Sequence, residues 1–230
     1  MAVPPNTNDA FLREVDEELR RDELVNVWRR YGRWIIVAVI AALAAFGGWL
    51  YWQHYQQQRA GNEGEKLLAS YDQLAGNKDV QAAPALVELG TSHSPGYRAA
   101  AKFSQADVLL KKKDLKGAAA KFAEVAADAS IAQPFRDLAL IRQTSAEYDS
   151  LKPQVVIDRL RPLAQKGNPW FGSAGELVAI AYIRMKRPEL ARTLFDQMSA
   201  DDGVPPSIHD RAVQMASTLG ASANQEKKAQ

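Results

Sequence analysis

Apolar residues follow two different patterns along this chain. From Trp34 to Trp52 they are continuous, and Ile35 to Leu50 includes no charged or polar side chain. From Glu63 onward they recur at intervals of three and four and are punctuated by glycine and proline. The first pattern predicts one membrane-spanning helix over 34–52, and the second predicts a series of short amphipathic helices. At about 1.5 Å rise per residue the continuous run is about 28 Å long, close to the hydrocarbon thickness of a bilayer. Tyr31 and Trp34 stand at one end, and Trp49, Tyr51, Trp52 and Tyr55 at the other, where amphipathic rings meet the headgroups. A cleaved signal peptide ending near Ala42-Leu43-Ala44 fits less well, because the polar segment before the run is long and the run continues past that point. A buried core helix also fits less well, because the run has no polar face and tryptophan at both ends.

The flanks predict an orientation. Arg29, Arg30 and Arg33 immediately precede the run, with Arg20 and Arg21 further back, whereas the first cations beyond it are Arg59 and Lys66. Lysine and arginine near a span favour the cytoplasmic side, so the amino terminus is expected inside and the rest of the chain outside. Residues 1–33 then form a cytoplasmic arm. In it Asn8 or Asp9 can cap a helix starting at Ala10, whose apolar stripe is Phe11, Leu12, Val15 and Leu19. Residues 53–62, with a QQQ run and Gly61, form a polar linker expected to carry the helix onward and then break it.

Beyond the linker the pattern repeats. Ala83, Ala118, Val156 and Ala191 are 35, 38 and 35 residues apart. Four residues after each lie Val87, Phe122, Leu160 and Phe195, and seven after lie Gly90, Val125, Leu163 and Met198. Pro95, Pro134, Pro169 and Pro205 follow, and twelve before the anchors lie Tyr71, Ala106, Thr144 and Ala179. An i, i+4, i+7 stripe is one face of a helix, and a small residue on a preceding helix lets that face approach. The expected unit is a helical hairpin that cannot bury its faces alone and so stacks on its neighbours. The expected fold class is all-α: one transmembrane helix, then a solenoid of about four hairpins over 63–220. Its last helix, Ser207 to Leu219, caps the stack, and 221–230 is a polar tail.

The period, with its order of small residue, large apolar residue and proline, is similar to tetratricopeptide repeats. Val178, Ala179, Tyr182, Ala191, Phe195, Met198 and Pro205 are the best copy, and Tyr71 departs from it. Together with the arm, the single span and the string REVDEELRRDELVNVWRRYGRW from Arg13 to Trp34, the chain resembles the YfgM family of ancillary SecYEG translocon subunits. That resemblance implies an inner-membrane protein with periplasmic repeats, associated with the translocon and periplasmic chaperones and without catalytic activity. An envelope adaptor for cell division or wall synthesis is the alternative.

Composition narrows the chemistry. With 230 residues and a net charge of +2 the chain is too weakly basic to point to nucleic acid. The absence of cysteine excludes disulfides, thiolate metal sites and cysteine nucleophiles. WFGSAGE around Ser173 lacks the first glycine of a nucleophile elbow, and His54, His93 and His209 fall in separate segments. No catalytic residue, cofactor or metal is therefore expected, and no small-molecule substrate. What is left is protein binding by the first helix of each hairpin. The candidate groove is Phe103, Asp107 and Leu110; Leu138, Ile141, Ser145 and Tyr148; and Glu176, Ile180 and Ile183.

Overall fold

Proline starts the helices of this chain. Lacking a backbone donor and held near helical φ, it suits the first turn, where amide protons have no partner in the helix. The computed structural model describes the backbone of residues 7–229 and the side chains of residues 28–221. Described residues fall into helices α1 Thr7–Ala75, α2 Asp79–Leu89, α3 Pro95–Lys111, α4 Leu115–Ala127, α5 Gln133–Ala146, α6 Pro153–Leu160, α7 Phe171–Arg184, α8 Pro188–Ser199 and α9 Pro206–Ala229. None of the described residues is in a strand. Four helices open on proline, and in α5 Pro134 stands second.

The chain divides into two units, residues 1–61 and 62–230. In the first, α1 starts at Thr7, earlier than the expected start at Ala10, and the stripe from Phe11 to Leu19 lies outside the described side chains. The apolar run within α1 is long and apolar enough to cross a membrane, and none of its most hydropathic stretch is buried against protein. The expected break at Gly61 is absent, because α1 continues through 53–62 to Ala75. Each interior glycine, Gly61 and Gly64, costs a helix only about 1 kcal/mol, and the glutamine-rich residues before them and Glu65 to Leu68 after them are good helix formers.

In the second unit the end of α1 pairs with α2, α3 with α4, α5 with α6 and α7 with α8. The second helix of each pair also packs on the first helix of the next, and α9 closes the row. The core is the predicted stripe. Ala118, Phe122 and Val125 on α4, Val156, Leu160 and Leu163 on and after α6, and Ala191, Phe195 and Met198 on α8 are all buried. Ala106 shares a cluster with Ala118 and Phe122, and Ala179 shares one with Ala191 and Phe195.

The first hairpin corrects the register by one residue. Ala83 is exposed and Val87 is 61% exposed, whereas Ala82, Leu86 and Leu89 are buried. The shift exchanges a stripe ending in Gly90 for one ending in Leu89, which buries more apolar surface. It also removes an anomaly. Twelve residues before Ala82 lies Ser70, so the position expected at Tyr71 holds a small buried residue after all. The small positions are thus Ser70, Ala106, Thr144 and Ala179, each at most 1% exposed. The hydroxyls of Ser70 and Thr144 donate to the carbonyls of Lys66 and Leu140 one turn back, so neither is buried unsatisfied.

The irregular 38-residue interval arises before the hairpin turn, between Ala118 and Thr144, because small position and anchor stay twelve residues apart across every turn inside a hairpin. In three hairpins the turn is three residues long: 76–78, 112–114 and 185–187. Between α5 and α6 it is six, 147–152, three more than the others. The three short turns end the first helix with a left-handed residue, Asn77, Lys113 and Lys186, at φ 55°, 63° and 57°. The next amide donates five residues back in each, Lys78 to Gln73, Asp114 to Leu109 and Arg187 to Tyr182, at 2.8, 2.9 and 3.0 Å. These are Schellman caps, normally built on glycine.

At the far end α9 runs to Ala229 and does not stop at Leu219. Residues 221–229 contain neither glycine nor proline, so nothing ends the helix there. Ala212 and Ala216 are buried against Phe171, Ala179, Phe195, Met198 and Val204, with Met215 and Leu219 alongside, as a capping helix requires.

The corrected register predicts opposite outcomes at adjacent alanines. Ala82→Leu overpacks the first hairpin and is expected to cost about 1–3 kcal/mol. Ala83→Leu, on the exposed side, should change stability by less than about 0.5 kcal/mol. Thermal unfolding of the two full-length variants in detergent measures the difference.

Candidate protein-binding face

The first helices α3, α5, α7 and α9 touch one another in sequence, and charged side chains link them. Asp107 on α3 accepts from Arg142 on α5. Glu176 on α7 accepts from Arg211 on α9 through both carboxylate oxygens, at 2.7 and 2.8 Å. Both pairs are 35 residues apart, one repeat. Arg142 also lies over the Phe122 ring, 4.8 Å from its centroid. Arg184, the last residue of α7, donates to the Tyr148 carbonyl at 2.9 Å and lies 5.1 Å over the Tyr148 ring.

The ten groove candidates are therefore in different situations. Asp107 and Glu176 are paired with arginines of the next helix. Ile141 is buried in the cluster around Val156, Leu160 and Val178. Phe103 packs on Phe122, ring centroids 5.8 Å apart, and Leu110 and Ile183 are partly buried against neighbouring clusters. Tyr148 is partly buried, and its hydroxyl donates to the Leu177 carbonyl at 3.3 Å. Leu138 and Ile180 are half-buried, and Ser145 is exposed. The sequence reading missed Arg142, Arg184 and Arg211. Their signal was available, because two of them lie one repeat after a candidate carboxylate.

A cavity of about 190 Å³ lies between α6, α7 and α8, lined by Ile157, Val178, Tyr182, Leu190 and Leu194 among others. None of the ten candidates lines it. It opens where α6 stops after eight residues and an irregular segment, 161–170, replaces a further turn of helix.

Charge at the opposite ends of the helices is neutralised in place. Arg98 donates to Asp128 at 2.8 Å, to the Ser92 carbonyl at 2.5 Å and to Ser130, joining the turn before α3 to the turn before α5. The Ser130 hydroxyl and the Arg98 guanidinium hold the Asp128 carboxyl down at about 2. Glu124 is partly desolvated, which acts to raise it, but hydrogen bonds from Lys121 and Lys102 leave it below the ordinary carboxylate value. Burial pushes the Tyr148 phenol up against the opposing influence of Arg184, and Glu176 raises Arg211 further.

With this geometry in view, the chain matches the profile of the tetratricopeptide repeat-like domain over residues 26–216. The chain belongs to that family. Among curated proteins it is similar to a Haemophilus influenzae protein named "Ancillary SecYEG translocon subunit", 29% identical over 110 residues. The match takes in 46% of this chain and 52% of the relative, so the chain spans about half the length of the curated relative it matches. No solved structure matches the chain.

The Asp128 network predicts a pH dependence. Its carboxyl lies below the ordinary 3.8, so the stability it contributes is complete above that value and is lost as pH falls through about 2. The Asp128→Asn variant should therefore lose less stability than the parent between about pH 4 and pH 2. Urea midpoints at stepped pH read the difference.

Proposed function

We propose that this protein is a membrane-anchored, non-catalytic scaffold whose helical repeats bind other proteins outside the cytoplasm. The observation that carries the reading is the extent of the family match. It begins at residue 26, ahead of the apolar run, and continues through the repeats to residue 216, so the run and the repeats belong to one family unit. This supports a retained anchor over a removed leader. The arginines before the run support an amino terminus in the cytoplasm of a bacterial cell and repeats in the periplasm. The name of the similar Haemophilus influenzae protein supports partners among translocon subunits, with periplasmic chaperones as further partners on the exit side.

The mechanism is tethering. A weak binder fixed in the plane of a membrane meets its neighbours at an effective concentration far above its bulk value, so modest affinity is sufficient. Of the candidate groove, Leu138, Ser145 and Ile180 are the contact residues we favour. They lie on the first helices, are at least partly accessible, and have no carboxylate or arginine partner to displace.

The test is isolation of the full chain from native membranes, with identification of co-purifying proteins, for the parent and for Ser145→Arg combined with Ile180→Asp. Translocon subunits are expected with the parent and should fall by about tenfold or more with the variant, as for loss of a central interface contact. Recovery of wall synthases without translocon subunits would instead favour the envelope-adaptor reading. A periplasm-dependent reporter fused after Gln230 should be active, and inactivity overturns the topology.

A further inference from the structure

Cations without partners are not spread evenly over the repeat unit. Between residues 62 and 221 ten of the twenty lysines and arginines face a carboxylate, as in Lys66 with Glu88, Lys102 and Lys121 with Glu124, and Arg159 with Glu147. Arg136 and Arg184 donate instead to side-chain and backbone oxygens. Eight cations have no hydrogen bond or ion pair among the described residues, and seven of them lie at the turns inside the hairpins. Lys78 is in the first turn, and Lys112, Lys113 and Lys116 are in and just after the second. Lys152 is in the third, and Lys186 and Arg187 are in the fourth. The eighth, Lys166, is in the segment between hairpins.

These turns lie at the same end of successive hairpins, and side-chain contacts join them in two pairs. Lys111 Nζ reaches back to Asn77 at 2.9 Å and Asp79 at 3.1 Å, joining the second turn to the first. Arg184 joins the fourth to the third through the carbonyls of Tyr148 and Leu151. Asp79, Asp114 and Glu147 are engaged internally, with Lys111, the Gly117 amide and Arg159. Asp72, Asp149 and Glu189 are the nearby carboxylates without a partner, so the edge keeps an excess of positive charge.

Two further features argue against simple solvation. Each second helix exposes an aliphatic side chain in its first turn, beside the cations: Val80 at 82%, Leu115 at 50%, Val155 at 40% and Leu190 at 39%. And Lys113 and Lys186 hold left-handed cap positions where glycine would be favoured by about 1 kcal/mol. A lysine placed against local conformational preference points to a role other than the fold.

We propose that this edge is a docking surface for an acidic segment of a partner protein that carries isolated aliphatic side chains. Rows of cations with one aliphatic contact per repeat complement such a segment in both charge and spacing. The exposed apolar residues in these turns are not aromatic, so the edge has neither the stacking platforms of single-stranded nucleic acid sites nor the aromatic anchors of an interfacial membrane surface. The surface is separate from the groove considered above and does not depend on which partner occupies it.

The experiment titrates the full chain, in nonionic detergent, into a fluorescein-labelled peptide of alternating Glu, Leu and Ser and reads anisotropy. Combining Lys112→Gln, Lys116→Gln and Lys186→Gln should weaken binding by about tenfold, and added salt should do the same. The pair Lys113→Gly and Lys186→Gly should also weaken binding while raising the unfolding temperature, which a structural role for these lysines does not allow. Lys166→Gln should change affinity by less than about twofold. The proposal is overturned by no binding, by an equal loss with Lys166→Gln, or by the glycine pair binding like the parent. It is also overturned if labelled single-stranded DNA or phosphatidylglycerol vesicles bind more tightly than the peptide through the same lysines.

Discussion

The repeat unit depends on one close approach: a small residue on the first helix of each hairpin, facing the stripe of the second. Ala106 against Ala118 and Phe122, and Ala179 against Ala191 and Phe195, bring two backbones near enough for the large apolar groups beside them to fill the remaining space. Where the small residue is Ser70 or Thr144, its hydroxyl donates back to its own helix, and that of Thr144 also accepts from Arg159 on the facing helix α6. A bulkier residue there would force the helices apart and expose the stripe, with a cost of about 1.5–3 kcal/mol per large side chain uncovered. Because the second helix of each hairpin also packs on the next, such a defect would reach the neighbouring hairpin as well.

Much of this was legible in the residues. The apolar run and the stripes at Ala118, Val156 and Ala191 were read directly, because composition and helical periodicity alone determine them. The first hairpin was misread by one position because α2 carries a second apolar series. Val80, Ala83, Pro84 and Val87 are also spaced along one face, and that face is exposed. Periodicity identifies an apolar face, but only the neighbouring helices decide whether it is buried. Gly61 was misread for a related reason. A local preference of about 1 kcal/mol does not end a helix that favourable residues continue on both sides.

The candidate groove was the least legible part. Ile141 and Ser145 are four residues apart on one helix, yet one is buried and the other exposed, because α6 and α7 cover only the first. The carboxylates Asp107 and Glu176 looked like contacts for a partner because their own helices gave them none. Their arginines lie 35 residues away, a separation that matters only once hairpins stack with that period. Reading charges at the repeat interval, not only at helical spacing, would have found both pairs.

Those pairs also explain how a repeat protein can keep folding and binding apart. Charges between the first helices and between hairpins are largely matched within the chain, so they fix the order of the stack and have little left to offer a partner. The turns inside the hairpins lie outside that matching. They need only a left-handed residue and a cap, conditions that leave side-chain charge free to vary. The six-residue turn after α5 shows the same freedom, since α5 ends three residues sooner after its small residue Thr144, the turn takes up those three, and the buried stripe stays in register. A solenoid built this way can acquire a new binding edge by substitutions in its turns while its core stays the same.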